Sequence, residues 1–389
     1  MTAAAPQPRP FTVEWSPGLP RGSSPSPDAA AGLALQPIGL LTGDVAARAV
    51  ADGTAMKLAG GPLAFSACVV TLAGARGLLR TTAELAELSD WALGENAVLG
   101  RAVIRRLELL SRQRPPFAGL SLDRARLIGV VNVTPDSFSD GGARFATDDA
   151  IAAGRALAAA GADLIDVGGE STRPGAAPVA AAVERERVLP VIRALAADGI
   201  AVSVDSRRAG VMEAAIEAGA VVVNDVSALS FDRASAAIVA AGRAGAILMH
   251  MQGRPATMQD APRYTDAPYE VFRYLDARAA VAEEAGIPAG SIAVDPGIGF
   301  GKNDDHNTAI LAAIGLFHAT GRPVVLGASR KSFIGRISRG EAPGARLPGS
   351  LAAAAAAALQ GVQLFRVHDV AETRQALAVL ARIGGLGVT

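Results

Sequence analysis

The chain has 389 residues, half of them apolar, and its 37 Lys and Arg residues are balanced by 37 Asp and Glu residues. This balance gives no general electrostatic attraction to nucleic acid or to anionic membranes, so we expect neither as a partner. A single cysteine, Cys68, excludes an intrachain disulfide and a cysteine-based zinc site, and is typical of a reduced, cytoplasmic setting.

The first 116 residues divide into two parts. Residues 1–36 are rich in Pro, Ala, Gly and Ser and cannot bury enough surface to offset their ordering entropy, so we expect them to be mostly disordered. Residues 37–116 are predicted to form a small helical extension, because Thr81 and Glu84 have the spacing of a capping box and apolar residues then recur at helical intervals. The basic residues Arg101, Arg105 and Arg106 are predicted to face solvent. No catalytic motif occurs here, and the sequence leaves the role of the extension open.

Residues 117–389 alternate regularly between two kinds of segment. The β-branched run 127–132 is typical of a strand buried on both faces, and seven more short apolar segments follow, each after a helical pattern. The glycines expected to end the helices are Gly161, Gly199, Gly219, Gly245, Gly286, Gly321 and Gly361. Eight β–α units predict a (β/α)8 barrel of the TIM type. A doubly wound open sheet is the alternative, although it usually has fewer strands.

Each predicted strand ends in polar or otherwise distinctive residues. In chain order these are Asn132; Asp166; Asp205; Asn224 and Asp225; Met249 and His250; Asp295; Gly327 with Ser329, Arg330, Lys331 and Ser332; and Arg366, His368 and Asp369. Because barrel sites are built at the carboxyl ends of strands, we predict a site at this rim. Its carboxylates suit a flat heterocycle with several N–H donors, and Arg366 with His368 suits a phosphate group.

Some of these side chains have simpler structural explanations. We expect Asp166 to anchor its loop and His250 to pack at its strand end. We expect His306 to begin a helix and His318 to contact the C-terminal carbonyls of its own helix. The glycines after Asp295 superficially resemble a nucleotide-binding loop, but their spacing does not fit one.

The motifs resemble those of the dihydropteroate synthase family of pterin-binding enzymes. They are NVTPDSFSDGG, DVGGESTRPG, SVDS, NDV, MHMQGRPATMQ, DPGIGFGK, GASRKSFIG and RVHDV, in the family's order. The resemblance implies a transferase that condenses 6-hydroxymethyl-7,8-dihydropterin pyrophosphate with 4-aminobenzoate, giving 7,8-dihydropteroate and pyrophosphate in folate biosynthesis. It also implies a requirement for Mg²⁺ and a homodimer built on the later helices.

The resemblance assigns roles to particular residues. The pterin pocket would contain Asp205, Asn224, Met249, Asp295, Phe300, Gly327 and Lys331. The pyrophosphate would be held by Asn132, Arg173, Arg366 and His368, with Asn132 also holding the metal. The aminobenzoate would contact Thr172, Pro174 and Ser332. The catalytic residues would be Asp140, Arg173, Lys331, Arg366 and His368, and the loops 134–142 and 170–175 would close over the reactants.

The expected reaction path follows from the chemistry of the substrates, and two alternative functions stay open. A neutral arylamine is already nucleophilic, so departure of pyrophosphate is the difficult event and we hypothesise an SN1-like path. One alternative is a pterin-binding methyltransferase domain that serves a corrinoid partner, although that chemistry has no pyrophosphate for SRKS and RVHDV to hold. The other is a catalytically silent paralogue that binds pterin without turnover, and no departure in the motifs supports it.

Overall fold

The computed structural model describes residues 12–20, 30–74, 77–94, 97–133, 142–171, 179–255 and 257–386. Within these ranges the chain forms a mixed sheet with helices, followed by a parallel barrel. None of the helices in these ranges is long and apolar enough to cross a membrane.

Where the structure describes it, the N-terminal extension contains a five-stranded mixed sheet and three complete helices. They are β1 (Thr12–Trp15), β2 (Ala34–Leu41), α1 (Gly43–Ala51), β3 (Met56–Lys57), β4 (Ala64–Gly74), β5 (Gly77–Glu84), α2 (Leu85–Gly94) and α3 (Ala97–Ser111). Strand β4 pairs antiparallel with β2, β3 and β5, and β1 pairs parallel with β5.

The prediction of a helical extension is therefore wrong for its first half. Thr81 and Glu84 lie in β5 and do not form a capping box. The apolar run that became β4 is mostly buried, and periodicity alone cannot tell such a strand from a buried helix. Helices α2 and α3 do form where apolar residues recur at helical spacing. Strand β1 and the start of β2 precede residue 37, so ordered structure begins before the predicted boundary.

The second part of the chain is built from eight strands and nine helices in the ranges that the structure describes. The strands are β6 (Arg126–Asn132), β7 (Leu164–Gly168), β8 (Val202–Asp205), β9 (Val222–Asp225), β10 (Gly245–Met249), β11 (Ile292–Asp295), β12 (Val325–Leu326) and β13 (Leu364–Val367). The helices are α4 (Gly142–Ala159), α5 (Ala181–Ala197), α6 (Ala209–Glu217), α7 (Ser235–Ala241), α8 (Ala267–Glu284), α9 (Asp304–Ala312), α10 (Ser332–Arg336), α11 (Leu347–Ala358) and α12 (Val370–Gly384). Short 3-10 helices occur at Ala289–Ser291, Ile314–Thr320 and Pro343–Ala345.

The eight strands form a parallel barrel. Each strand from β6 to β10 pairs with the next, and β13 pairs with both β6 and β12. A single bridge between Val294 and Val324 joins the remaining two edges. The strands therefore run round the barrel in chain order, which confirms the barrel and excludes the open-sheet alternative.

The barrel interior changes from apolar to polar along the strands. Near their amino ends the inward-facing residues are Ile128, Leu164, Val222, Ile247, Ala293, Val325 and Leu364, which pack with Phe117. Alternate residues of a strand share a face, so residues two positions further along also point inward. Four of these are Asp166, Asn224, Asp295 and Arg366. The apolar layer thus supports a polar layer directly beneath the rim.

Six of the seven predicted helix-ending glycines have the expected left-handed backbone. Their φ values lie between 76° and 109°. Gly245 is the exception, because it is the first residue of β10. The left-handed position after α7 is occupied by Arg243, which has φ of 52°.

The extension is attached to the barrel by half-buried ion pairs. The Arg106 guanidinium makes two bonds to Asp276 of α8, at 3.0 and 2.5 Å, and lies over the Phe272 ring. Arg80 pairs with Asp266, just before α8, at 2.7 Å. The predicted solvent exposure is therefore wrong for Arg106, whereas Arg101 and Arg105 are exposed.

Candidate active site

A buried ion-pair network lies inside the barrel at the carboxyl ends of the strands. The Arg366 guanidinium donates to Asp166 from Nε at 2.6 Å and to Asp205 from Nη2 at 2.9 Å. Asp166 is fully buried and also accepts from Ser203 Oγ at 2.5 Å and Asn224 Nδ2 at 3.0 Å. Asp166 therefore has a structural role, but its described partners are side chains from three other strands and not, as the sequence had suggested, its own loop.

Two oxygens face each other across a glycine at the rim. Strand register places Asn132 beside Gly168, and Gly168 beside Asp205. A Cβ built at Gly168 would lie 3.7 Å from both Asn132 Oδ1 and Asp205 Oδ2. The missing side chain therefore leaves room for a small ligand near both oxygens. Burial, partly offset by Arg366, raises the pKa of Asp205 above its ordinary value.

These oxygens form a donor set that fits a hard divalent cation. Among the described residues no group of three or more His, Cys, Asp or Glu side chains is placed to hold a metal. The Asn132 amide and the Asp205 carboxylate are oxygen ligands, and Mg²⁺ is usually held by one or two such groups together with substrate phosphates and water. The residues present therefore fit the magnesium ion that the resemblance implies.

Asp295 presents one oxygen to its own loop and leaves the other open. Its Oδ1 accepts from the Gly297 amide at 2.7 Å. Gly297 has φ of 68°, and a Cβ there would lie 2.0 Å from the His250 carbonyl oxygen, so only glycine permits this tight turn. A Cβ at Gly327 would lie 3.6 Å from Asp295 Oδ2, so that glycine keeps space beside the second oxygen. Burial raises the pKa of Asp295.

Lys331 and Phe300 form a cation and aromatic pair next to this carboxylate. The Lys331 Nζ lies 4.0 Å from the centre of the Phe300 ring. Burial and the nearby Arg366 lower the pKa of Lys331 to about 8, while Asp295 and Asp205 partly oppose them. The ammonium is therefore mostly protonated at pH 7 and can donate hydrogen bonds to a ligand.

His368 is held as a neutral imidazole. Its backbone N–H donates to Ser329 Oγ at 3.2 Å, and its Nδ1 lies 3.1 Å from the same oxygen. Burial and the neighbouring Arg366 lower the pKa of His368 to about 4. In the tautomer in which the Ser329 hydroxyl donates to Nδ1, the ring carries its proton on Nε2, where it can be donated to a ligand. Ser329 was not assigned this orienting contact from the sequence.

A second unassigned residue, Lys302, is fully buried behind the pocket. Its Nζ contacts His250 Nδ1 at 2.9 Å, the His250 carbonyl at 3.3 Å and the Phe300 carbonyl at 3.0 Å. An ammonium has three donors, so these three acceptors use all of them. Burial lowers the pKa of Lys302 to about 7. Lysine is almost never fully buried, so no feature of the sequence indicated that this one lies inside.

Replacing Lys302 with Met is expected to destabilise the protein by about 3 kcal/mol, because buried acceptors left unpaired each cost about 1–3 kcal/mol. It should also weaken the binding of a ligand beside Phe300, since Lys302 donates to the Phe300 carbonyl and fixes that loop. Urea unfolding and ligand titration measure the two effects. Lys57→Met is the matched control, because Lys57 is exposed on β3. Equal stability of the two variants would contradict the role given to Lys302.

Of the other predicted site residues, some lie within the ranges that the structure describes and the rest lie outside them. Met249 is buried at the end of β10, where it can wall the pocket. Ser332 is exposed at the start of α10 and accepts from Arg336 Nη1 at 2.9 Å. The remaining predicted residues lie outside the described ranges: Asp140, Thr172, Arg173 and Pro174, with most of the loops 134–142 and 170–175.

Glu170 joins the two described flanks of residues 172–178. Its side chain is 6% exposed, its Oε1 accepts from the Val179 amide at 3.1 Å, and its Oε2 pairs with Arg208 at 3.0 Å and Arg207 at 3.3 Å. These cations and the Val179 amide hold the pKa of Glu170 below its usual range, against the effect of burial. The Glu170 carboxylate therefore holds Val179, the first described residue after the segment, close to Glu170 itself.

The structure also places the remaining histidines. His250 is buried, in agreement with a packed role. His306 forms a capping box with Asn303 at the start of α9, as expected. His318 differs from the prediction, because its Nε2 lies 2.9 Å from the carbonyl of Gln360, which follows α11. All residues of the 3-10 segment Ile314–Thr320 are buried, so the His318 ring contacts Gln360 just after α11 and not the carbonyls of its own segment.

The barrel and its polar rim are typical of an enzyme with its site at the carboxyl ends of the strands, and comparisons with known proteins identify the kind of enzyme. The family model described as "Pterin binding enzyme" matches residues 128–368, so the N-terminal extension lies outside the match. The fold, the rim and this match place the chain among the pterin-binding enzymes.

Individual relatives narrow the class. A dihydropteroate synthase of Escherichia coli is 46% identical over 264 residues, covering 67% of this chain and 92% of the relative. One from Mycobacterium leprae is 45% identical over 267 residues, covering 67% and 94%. A Xanthomonas albilineans dihydropteroate synthase solved with 4-aminobenzoic acid superposes with a TM-score of 0.66 at 46% identity, covering 70% of this chain and 98% of that one. The chain belongs to the dihydropteroate synthase family, and it is a transferase.

Proposed function

We propose that this chain condenses 6-hydroxymethyl-7,8-dihydropterin pyrophosphate with 4-aminobenzoate, releasing pyrophosphate and forming 7,8-dihydropteroate. The observation that carries the proposal is the rim itself, where open carboxylate oxygens, one ammonium and one guanidinium converge above the apolar layer. The Xanthomonas albilineans enzyme, solved with 4-aminobenzoic acid and with 7,8-dihydropteroate, supports this choice of reactants.

The pterin would occupy the space between Asp295 and Lys331. The open Oδ2 of Asp295 can accept from the guanidine-like edge of the heterocycle, and Lys331 can donate to its carbonyl oxygen. Phe300 and Met249 would give apolar walls to the flat ring. Asn224 would contribute its Oδ1, because its Nδ2 is already bound to Asp166. Asp205 completes this set of acceptors.

The pyrophosphate would lie on the cationic side of the rim. Arg366 uses Nε and one hydrogen of Nη2 within the protein, so both hydrogens of Nη1 and the second hydrogen of Nη2 remain for phosphate oxygens. The Nε2–H of neutral His368 would be a second donor, and Arg173 a third. Asn132 would hold Mg²⁺ with Asp205 nearby, and the ion when bound would stabilise negative charge on the leaving group.

The chain's own residues favour a dissociative reaction. The arylamine is neutral at pH 7 and needs no strong base, so the barrier lies in breaking the bond to pyrophosphate. Arg366 and His368 would stabilise charge that grows on the departing group. The carboxylates around the ring would stabilise positive charge on the pterin methylene. We place Asp140 in the same role. Rates with electron-poor arylamines test this path, since a steep dependence on amine basicity in the chemical step would contradict it.

The affinity for a 7,8-dihydropterin is expected to fall about tenfold between pH 7 and pH 9, because the Lys331 ammonium, with its pKa lowered to about 8, loses its proton in this interval. Fluorescence titration of the ligand at each pH measures the effect. In Lys331→Gln the affinity should be lower at pH 7, and the tenfold fall that deprotonation of Lys331 causes should be absent. A wild-type affinity that stays constant would show that the charge of Lys331 does not contribute.

We also propose a cytoplasmic homodimer built on the last two helices. Ala354 and Ala357 of α11 pack against the barrel, while Ala352 and Ala356 are exposed. On α12, Val379 and Ile383 are 54% and 80% exposed, which continues the apolar surface. Sedimentation of the full chain, whose mass is 39.3 kDa, should give twice that mass, and a monomer at high concentration would contradict the dimer.

The function is tested by incubating the purified full chain with both substrates and Mg²⁺ and following dihydropteroate. We expect product only when all three are present, and none after chelation of the metal. Binding of pterin without product would support the silent paralogue instead. Methyl transfer from a methylated folate to a corrinoid, without dihydropteroate formation, would support the methyltransferase alternative.

A further inference from the structure

A cavity of about 490 Å³ lies between the extension and the opposite end of the barrel. Its wall includes residues 58–63 and 113–114 of the extension, residues 121–125 before β6, and one face of α12. It adjoins the amino end of β6, whereas Asn132 is at the carboxyl end, roughly 20 Å away at about 3.3 Å per residue. This junction cavity is therefore separate from the candidate active site.

The junction cavity has the size and apolar character of a small-molecule site. Sites for such ligands commonly measure about 300–1,000 Å³ and are mainly apolar with a few polar groups. Here the apolar wall is formed by leucines and alanines from both parts of the chain. The leucines are Leu58, Leu63, Leu122, Leu127, Leu377, Leu380 and Leu386.

Arg114 supplies an unbalanced positive charge in this wall. It is 5% exposed, and in the described part of the chain its guanidinium donates only to the backbone carbonyls of Arg112 at 2.8 Å and His318 at 2.9 Å. Its Nε has no hydrogen-bond partner, and no carboxylate pairs with it in the part of the chain that the structure describes. A buried charge is costly unless it is paired, so this arginine lacks the partner that its position requires.

The other charges of the wall do not supply that partner. Arg124 and Arg374 also line the cavity, and Asp123 is the one acidic residue among the described residues that line it. The Asp123 side chain is 73% exposed and pairs with Arg126 at 2.7 Å. Burial and the neighbouring Arg322 and Arg112 lower the pKa of Arg114 to about 9, which agrees with an uncompensated charge. Arg124 is paired with Asp163 at 2.6 Å, so the cavity combines a hydrocarbon lining with the unpaired charge of Arg114.

We propose that the junction cavity binds a small molecule that carries a carboxylate on an apolar chain. The carboxylate would neutralise Arg114, and the chain would pack against the leucines. The ligand would contact the extension and the barrel together, so it would stabilise their association. This inference does not depend on the reaction proposed for the rim.

Calorimetric titration of the full chain with decanoate, and separately with decanol, tests the proposal. We expect one equivalent of decanoate to bind at least tenfold more tightly than decanol, with or without a saturating dihydropterin at the rim. Absence of decanoate binding, equal binding of decanol, or displacement by the dihydropterin would overturn it.

Three variants locate the site. Arg114→Gln should weaken decanoate binding at least tenfold, whereas Arg105→Gln, which removes a charge from an exposed position of α3, should not. Ala378→Phe adds bulk to the cavity wall and should reduce the binding of both probes. Circular dichroism verifies that each variant is folded. Unchanged binding in folded Ala378→Phe and Arg114→Gln would exclude this cavity.

Discussion

Replacing Asp295 with Asn is expected to weaken binding of a dihydropterin by about a hundredfold or more while the barrel stays folded, because two charge-assisted hydrogen bonds are each worth about 1.5–3 kcal/mol. The asparagine Oδ1 can still accept from Gly297 and keep the turn. Its Nδ2 would face the N–H donors of the pterin, where the carboxylate offered an acceptor. Isothermal titration with a dihydropterin measures the loss.

Asp225→Asn is the matched control for this prediction. Asp225 is equally buried at the end of a neighbouring strand, but its carboxylate accepts from Ser227 and Leu229 in its own loop. The control should lose some stability and keep its pterin affinity. If the two variants lost affinity equally, Asp295 would act only by shaping the rim.

Replacing Arg366 with Gln should reduce turnover by about a hundredfold or more, because groups that stabilise developing charge contribute on this scale. It should also lower the free energy of unfolding by about 3–5 kcal/mol, since removing one partner leaves buried carboxylates unpaired. The ion pairs lost are those with Asp166 and Asp205. Urea unfolding and the dihydropteroate assay measure the two effects on the same preparation.

The double variant Asp166→Asn with Arg366→Gln separates these two effects. It removes the fully buried carboxylate together with its cation, so stability should recover in part. The oxygen of the introduced amide would still accept from Ser203, whereas its nitrogen would replace the oxygen that accepts from Asn224, so this hydrogen bond is lost together with the charge and the recovery of stability is incomplete. Activity should remain low, because the phosphate donor is still missing. Recovery of activity along with stability would show that Arg366 has a purely structural role.

The barrel could be predicted from local features of the sequence. Short β-branched runs, helical patterns and the six confirmed helix-ending glycines each depend on near neighbours in the chain, and eight repeats leave few arrangements. The rim followed from the same reasoning, since parallel strands bring their carboxyl ends to one edge. That edge is where Asp205, Asn224 and Asp295 lie.

The pairings within the site could not be predicted in this way. Arg366 and Asp166 are 200 residues apart, and nothing near either residue specifies the other. Lys302 would ordinarily be expected in solvent, and only the folded loop surrounds it with three acceptors. The extension was misread for a related reason, because β4 is an apolar run whose strand character depends on β2 and β5.

The most direct test of the central claim is a single-turnover experiment with the full chain, Mg²⁺ and both substrates, in which dihydropteroate and pyrophosphate are quantified together. We expect equal amounts of the two products from the wild type, and little of either from Asn132→Ala or Asp295→Asn under the same conditions. Full product formation by the folded Asp295→Asn and Asn132→Ala variants would contradict the assignment of the reaction to this rim.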